Sequence, residues 1–299
     1  MSAETTLDKR QLRRSFERAA ESYDAAAVLQ NEVCRRMLER LDYIKLDPKC
    51  IVDAGSGTGN AVPGLLARFP RARLVAFDLA LGMARRVRLR RTWRHRLLDW
   101  RGARLLAACG DIEQMPIASG VAGLIWSNLT LQWVNNPRGA FAEMHRALAP
   151  GGLLMFTSFG PDTLKELRAA FQGADSRTHV NRFIDMHDIG DLLVGQGFAD
   201  PVMDMEQVTL TYAEVRDLMR DLKSIGAHNV TRGRPAALSG KSLLARVAQG
   251  YETFRRDGRL PATFEVVYGH AWKPHPRVGP SGRPVIEIKP RGSAVRGKE

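Results

Sequence analysis

The sequence is poor in cysteine and has no long apolar run. Its three cysteines, Cys34, Cys50 and Cys109, are odd in number and too far apart for a metal knuckle, which indicates reduced core residues. A protein of the cytoplasm, a reducing compartment, is therefore expected. No apolar stretch approaches the roughly 20 residues of a membrane span, and the opening MSAETTLDKR lacks the apolar core of a signal peptide. We expect a soluble protein without a membrane partner.

Two phosphate-binding motifs are also missing from the glycine-rich loop DAGSGTG, residues 53–59. A dinucleotide fingerprint G-x-G-x-x-G would need glycine where the chain has Asn60 or Val62. The P-loop lysine that holds phosphates is absent as well. The loop nevertheless follows the apolar segment CIV and precedes the helical pattern NAVPGLLARF, an arrangement typical of a nucleotide-type site. The loop is therefore expected to bind a nucleotide-type ligand without either of these phosphate-binding motifs.

Positive charge is abundant but confined to two stretches. The formal net charge is +13. Residues 85–104 contain nine arginines against one aspartate, and residues 273–299 contain seven lysines or arginines against two glutamates. The remaining residues are balanced. Such concentration favours an acidic partner at one surface, namely a nucleic acid, a membrane or an acidic protein, although a solvated helix face and a disordered tail explain it equally well.

Strand and helix patterns alternate through the middle of the chain. The predicted strands are CIVDA, ARLVAFD, ARLLAAC, AGLIWS and, after the turn APGG, GLLMFTSF; helical patterns lie between most of them, including one from about residue 80 to 98. This alternation predicts an α/β fold with a doubly wound, mostly parallel sheet of seven strands, the last two being ADPVMDMEQVTLTY and ATFEVVYGHAW.

Four segments are predicted along the chain. Residues 1–45 form a helical lid with a break at ESYD, and residues 46–160 form the cofactor-binding core. Residues 161–272 contribute substrate-side helices and the last two strands. Residues 273–299, rich in proline and glycine, form a disordered basic tail.

Acidic residues follow the next two strands after the glycine loop. Asp78 ends the second strand, where a carboxylate can accept from paired ribose hydroxyls, and Asp111 follows the third, where it can accept from an adenine amino group. The carboxyl ends of parallel strands meet at one edge of the sheet, which is where open α/β sheets bind ligands. The glycine loop and these two aspartates are therefore expected to face one nucleotide-type ligand.

The chain resembles the class I methyltransferases that use S-adenosyl-L-methionine (SAM), and within them the malonyl-[acyl-carrier protein] O-methyltransferases of biotin synthesis. The resemblance extends from about Leu12 to Trp272. DAGSGTG is shared with the whole superfamily, whereas SNLTLQW, HVNRF and LKSIGA are narrower signals. Ser56 departs from the usual cysteine of the loop, but the change is conservative and SAM binding is still expected.

The resemblance implies methyl transfer from SAM to the free carboxylate of a malonyl group on acyl carrier protein or coenzyme A. That carboxylate is already ionised at neutral pH, so no general base and no catalytic side chain are expected. Rate would come from alignment in a closed, dry site. The implied partner is malonyl-bearing acyl carrier protein, a small acidic protein that suits a basic surface. A nucleic acid partner and a metal are not expected.

Two sets of candidate residues follow. The predicted cofactor-binding residues are Tyr23, Asp53, Gly55, Gly57, Gly59, Asp78, Leu79, Asp111, Ile112 and Asn128. The predicted substrate-binding residues are Gln132, Trp133, His179, Arg182, Arg220 and Lys223.

Several of these residues have a purely structural alternative. Tyr23 either closes over the cofactor or packs between helices, and Trp133 either faces the acceptor or fills the core. Arg182 either pairs with the malonyl carboxylate or orders a loop together with His179. Arg220 and Lys223 either meet the carrier's phosphopantetheine or form a solvated helix face.

Two other functions are compatible with the same loop. One is methylation of another small molecule, an RNA or a protein, and the other is a non-catalytic SAM-binding assembly factor. Enzymes that methylate base amines commonly carry [DN]-P-P-[YF] after the fourth strand, where this chain has Ser127-Asn128-Leu129-Thr130. That difference argues against amine chemistry on bases.

Overall fold

The computed structural model describes residues 6–89, 104–174, 179–227 and 241–276. Most of the basic segment 85–104, and the predicted tail from residue 277 onward, lie outside these ranges. The predicted disorder of the tail and the predicted role of the segment therefore stay predictions.

One seven-stranded sheet organises the chain. Its order is β3-β2-β1-β4-β5-β7-β6; β1 to β5 are parallel, and β7 is antiparallel to both of its neighbours. The predicted doubly wound, mostly parallel sheet of seven strands is thereby confirmed. The strands are β1 (Cys50–Ala54), β2 (Arg73–Asp78), β3 (Leu105–Cys109), β4 (Ala122–Ser127), β5 (Leu148–Phe159), β6 (Ala199–Tyr212) and β7 (Leu260–Trp272).

Ten α-helices lie in the described residues. Some of them begin at a side-chain cap: the Asp8 carboxylate accepts from the backbone N–H groups of Arg10 and Gln11, and Asn136 caps the helix that begins at Pro137. The helices are α1 (Lys9–Ala19), α2 (Tyr23–Ala26), α3 (Val28–Arg40), α4 (Val62–Arg68), α5 (Leu81–Leu89), α6 (Pro137–Ala147), α7 (Lys165–Gln172), α8 (Met186–Gly195), α9 (Val215–Ser224) and α10 (Lys241–Glu252). Among them none is both long and apolar enough to cross a membrane.

The core consists of two apolar layers, one on each face of the sheet. Since successive side chains of a strand point to opposite faces, Leu124 and Trp126 of β4 enter one layer and Ile125 enters the other. Met37 of α3 belongs to the first layer and Phe141 of α6 to the second. Helices therefore cover both faces, and only the edges and ends of the strands are left for a ligand.

Strand β5 begins earlier than the sequence predicts. The segment APGG, expected to be a turn before the strand, lies inside β5, which starts at Leu148. Gly151 has a φ of +75°, and the pairing with β4 shifts register between Ala122 and Leu124. An irregular, bulged start therefore replaces the predicted turn, because a left-handed glycine lets the chain kink without leaving the sheet.

The N-terminal segment lies across the carboxyl ends of the parallel strands. The backbone N–H of Leu7 donates to Asn135 Oδ1 (2.8 Å), and Asn135 Nδ2 donates back to the Leu7 carbonyl (3.1 Å). Farther along, Glu17 of α1 accepts from the backbone N–H of Gly82 (3.0 Å) at the start of α5. These contacts hold α1 over the edge of the sheet where the glycine loop lies.

Candidate cofactor and acceptor sites

A cavity opens at the carboxyl ends of β1, β2, β3 and β4. Its volume is about 640 Å³ when the space at its mouth is included. Eight of the ten predicted cofactor residues line it: Tyr23, Gly55, Gly57, Asp78, Leu79, Asp111, Ile112 and Asn128. We call this space the cofactor cavity. Asp53 and Gly59 are not among the residues that line it.

Gly55 and Gly59 of the loop are glycines for different structural reasons. Gly55 has a φ of +77°, and a Cβ on it would lie 2.2 Å from Thr130 Oγ1. Gly59 (φ +85°) packs against α5, where a Cβ would meet Val87 at 3.1 Å. Gly55 therefore admits the segment after β4, and Gly59 lets the loop approach α5. Their conformations are the left-handed ones that favour glycine.

Asp78 fixes the loop from the end of β2. Its Oδ2 accepts from the Gly57 backbone N–H and its Oδ1 from that of Ala80, both at 2.9 Å. Burial raises the pKa of this carboxyl group, and the backbone hydrogen bonds oppose that rise. The side chain thus joins two loops at the floor of the cavity.

Asp111, at the far end of the cavity, is paired with a residue of α1. Lys9 Nζ lies 3.1 Å from Asp111 Oδ1 and 2.9 Å from Glu113 Oε1. Sequence reasoning missed Lys9, because 102 residues separate it from Asp111 and no local pattern relates them. The ion pair ties the first helix to the predicted adenine end of the cavity.

Tyr23 lies between the lid and the glycine loop. Its ring lines the cofactor cavity and packs against the small cluster of Ala19, Ala80 and Met83. Burial, followed by the carboxylates of Asp78 and Asp24, raises the pKa of its hydroxyl well above the usual value. The neutral phenol is therefore the form present at physiological pH, and both of the roles considered for it are compatible with this position.

A second, larger cavity adjoins the first. It has a volume of about 1900 Å³ with its mouth included and lies among α1, α7, α9 and α10. Its walls are mostly apolar, with Phe159, Leu167 and Phe264 among them. We call it the acceptor cavity. The predicted substrate residues that line it are Trp133, His179, Arg220 and Lys223.

Trp133 lies where the two cavities meet, because it lines both. Phe16 of α1 packs edge-on against its indole, with 5.5 Å between ring centroids and an angle of 85°. Gly226, in the segment LKSIGA, abuts Phe16: a Cβ there would lie 3.1 Å from the ring. Phe16 was not recognised from the sequence, since an apolar residue on a helix gives no functional signal. The aromatic pair forms the wall between cofactor and acceptor spaces.

The polar end of β4 has a structural role that the sequence left open. Asn128 Nδ2 donates to the Gln30 carbonyl (3.1 Å), and Asn128 Oδ1 accepts from Thr157 Oγ1 (2.8 Å). Gln132 Nε2 donates to the Leu129 carbonyl (2.7 Å). Both amides therefore hold the chain where it leaves the strand, and Asn128 also faces the cofactor cavity.

Two predicted substrate residues lie away from the acceptor cavity's lining. Arg182 is exposed, and Gln132 turns toward the backbone after β4. His179 does line the cavity and stacks on Phe171, with ring centroids 4.0 Å apart. The segment HVNRF thus contributes His179 to the cavity while its arginine points to the surface.

Comparison with known proteins places this geometry in a family. Residues 52–156 match the methyltransferase domain family. The malonyl-[acyl-carrier protein] O-methyltransferase of Gallionella capsiferriformans is 55% identical over 95% of this chain and 97% of its own length. The chain belongs to the malonyl-[acyl-carrier protein] O-methyltransferase family. A further member, from Nitrosospira multiformis, is 57% identical over 91% of both chains.

Solved structures show the same fold at low sequence identity. The YcgJ protein of Bacillus subtilis has a TM-score of 0.54 at 12% identity, covering 82% of this chain and 99% of its own. A phosphoethanolamine N-methyltransferase of Haemonchus contortus, solved with SAM, has a TM-score of 0.52 at 17% identity, covering 86% of this chain and 57% of its own. The chain thus shares its fold with these two proteins.

Proposed function

We propose that this protein transfers the methyl group of SAM to the free carboxylate of malonyl-acyl carrier protein and so forms the methyl ester, an early step of biotin synthesis. The observation that carries the proposal is the 55% identity, over nearly the full length of both chains, to a relative of that name. The two cavities that meet at Trp133 supply a place for each substrate.

The cofactor cavity suits SAM. Asp53 is buried, and its Oδ2 has no hydrogen-bond partner among the described residues. Asp78 and Asp111 line the cavity, and Asp53 lies near the end of β1, just before the glycine loop. These carboxyl groups suit a ligand with a positive net charge and several donor groups. Asp78 would hold the ribose hydroxyls, Asp111 the adenine amino group, and the glycine loop the amino acid end. SAM supplies an electrophilic methyl group when it is bound.

The reaction needs little proton chemistry from the protein. The acceptor carboxylate is ionised at neutral pH, so no residue has to remove a proton. The work left to the chain is alignment and exclusion of water, which the wall of Trp133 and Phe16 and the covering helix α1 are placed to do. An unneutralised carboxylate is the better nucleophile, and the exposed position of Arg182 is compatible with that requirement.

The pH dependence of SAM binding should report the ionisation of Asp53. Burial first, and the Asp78 carboxylate second, raise the pKa of Asp53 to about 8. The free protein therefore holds this carboxyl protonated below pH 8, whereas a cationic ligand favours the ionised form. SAM binding is expected to release a proton at pH 7 and to tighten as the pH rises toward 8. Calorimetry in two buffers of different ionisation enthalpy measures that proton.

Asp53→Asn is the control for this prediction, because it keeps the shape and removes the titration. Equal proton release by the variant and the original protein would contradict it. The folding stability of the free protein depends on pH in the opposite direction to SAM binding. In the unfolded chain an aspartate loses its proton near pH 4. The contribution of Asp53 to stability therefore decreases as the pH rises from about 4 to about 8.

The proposed function is tested by mass spectrometry of a reaction of the purified protein with SAM and malonyl-acyl carrier protein. The expected product is the carrier with one added methyl group on the malonyl unit, removable by an esterase. A protein that binds SAM yet leaves malonyl-acyl carrier protein and malonyl-CoA unchanged would refute the assignment of the acceptor. Both acceptors are included because the acceptor cavity is large enough for the malonyl-bearing arm of either one.

The same proposal gives roles to the parts of the chain. Residues up to 45 act as a lid, residues 46–160 bind the cofactor, and residues 161–272 enclose the acceptor while completing the sheet. A cytoplasmic location fits the three cysteines, none of which forms a disulfide bond.

A further inference from the structure

Helix α1 carries an unusual row of exposed arginines. Arg10, Arg14 and Arg18 follow one another at intervals of four residues, so they lie along one side of the helix. All three are exposed. Like charges at this spacing destabilise a helix by about 0.2–0.5 kcal/mol per pair. A row of this kind therefore has a small cost in the free protein.

Four acidic residues around α1, namely Asp8, Glu17, Asp111 and Glu113, have other partners. The Asp8 carboxylate caps the helix, and Glu17 accepts from the Gly82 backbone. Asp111 and Glu113 bind Lys9. Within the described ranges no ion pair is formed by the members of the row, Arg10, Arg14 and Arg18.

The row leads to the mouth of the acceptor cavity. Arg18, at its end, lines that cavity. One turn later Ser22 Oγ lies 3.5 Å from the Ser224 carbonyl, which brings the end of α9 beside α1. Lys223, the residue before Ser224, and Arg220 line the same mouth and are exposed. Arg220 is paired with Asp217 on its own helix, whereas Lys223 extends the row of free cations.

We propose that Arg10, Arg14 and Arg18 of α1, continued by Lys223 of α9, form the docking surface for the acidic face of the acyl carrier protein. This inference rests on the proposed function. A substrate tethered to an acidic protein needs a cation-rich surface beside the cavity that receives its arm, and these residues supply one. The surface differs from the basic segment 85–104 that the sequence singles out. The arm with its malonyl group then enters between α1 and α9 toward Trp133.

The test is a double charge reversal, Arg10→Glu with Arg14→Glu, at two residues that line neither cavity. The acceptors are malonyl-acyl carrier protein and malonyl-pantetheine, which has the arm but no acidic protein. We expect KM for the carrier to rise about tenfold at low salt, since exposed ionic contacts contribute roughly 0.2–1 kcal/mol each and the reversal also introduces repulsion. KM for malonyl-pantetheine and Kd for SAM should stay within twofold.

The matched control is Arg71→Glu with Arg73→Glu, two exposed arginines at the amino end of β2, the opposite edge of the sheet. It changes the net charge equally and should leave both KM values unchanged. An equal rise in KM for the carrier in both double variants, or no rise in either, would overturn the docking surface while the proposed function stands. If the Arg10→Glu, Arg14→Glu variant instead bound RNA more weakly than the original protein and kept its KM for the carrier, the docking surface would be overturned too. Failure of the unaltered protein to methylate either acceptor would instead refute the proposed function.

Discussion

Replacing Asp78 by alanine is expected to weaken SAM binding by about 100-fold or more and to abolish methyl transfer at ordinary SAM concentrations. The carboxylate accepts two backbone hydrogen bonds, from Gly57 and Ala80, and in the proposed complex it also faces the ribose. Hydrogen bonds to charged groups contribute about 1.5–3 kcal/mol each, and a 100-fold loss corresponds to about 2.7 kcal/mol. Calorimetric titration with SAM measures the change in Kd directly.

Asp47→Ala is a suitable comparison for this experiment. Asp47 is exposed and precedes β1, at the edge of the sheet opposite the cavity, so its removal should leave Kd unchanged. The Kd for SAM of Asp78→Asn should lie between those of Asp78→Ala and Asp47→Ala, since the amide oxygen can accept only some of the hydrogen bonds that the carboxylate accepts. A Kd for Asp78→Ala within threefold of the original would show that the cofactor lies elsewhere.

The second large effect concerns folding. Gly55→Ala is expected to lower the free energy of unfolding by about 3 kcal/mol, the sum of roughly 1–2 kcal/mol for a left-handed residue with a side chain and about 1–3 kcal/mol for overpacking. The new Cβ would lie 2.2 Å from Thr130 Oγ1 and 2.7 Å from Thr130 Cβ. Denaturant unfolding followed by circular dichroism measures the change.

Two further variants separate the causes. Gly120 has nearly the same φ, +71°, but nothing within 4 Å of its would-be Cβ, so Gly120→Ala should show the backbone cost alone. In the double variant Gly55→Ala with Thr130→Gly the collision is removed, and the part due to overpacking should be recovered. If Gly120→Ala and Gly55→Ala cost the same, the contact with Thr130 contributes nothing.

The fold could be predicted from the sequence because its signals are local. Alternating apolar segments marked β1, β2, β3 and β4, and the glycine loop marked the join between strand and helix. Asp78 and Asp111 could be placed together without a structure, since parallel strands bring their carboxyl ends to one edge. The boundary of β5 could not, because a left-handed glycine, Gly151, continues a strand where the local pattern APGG indicates a turn.

The contacts that close the site could not be predicted, because they join residues far apart in the chain. Lys9 and Asp111 are 102 residues apart, and Phe16 meets Trp133 across a similar distance. The arginine row of α1 was also hidden. The charge of the chain outside the two basic stretches sums to zero, so composition does not single out α1. Only the structure shows that Arg10, Arg14 and Arg18 form no ion pair with the part of the chain that it describes.

The position of β7 has a consequence for the order of folding. Strand β6 is made before β7, yet β7 is its neighbour in the sheet and lies between β6 and β5. Until residues 260–272 leave the ribosome, β5 is an open edge and β6 has no strand to pair with. Twelve residue pairs then join β6 to β7 in antiparallel register. Nascent chains that stall before residue 260 would present both unpaired edges, the kind of surface on which aggregation begins.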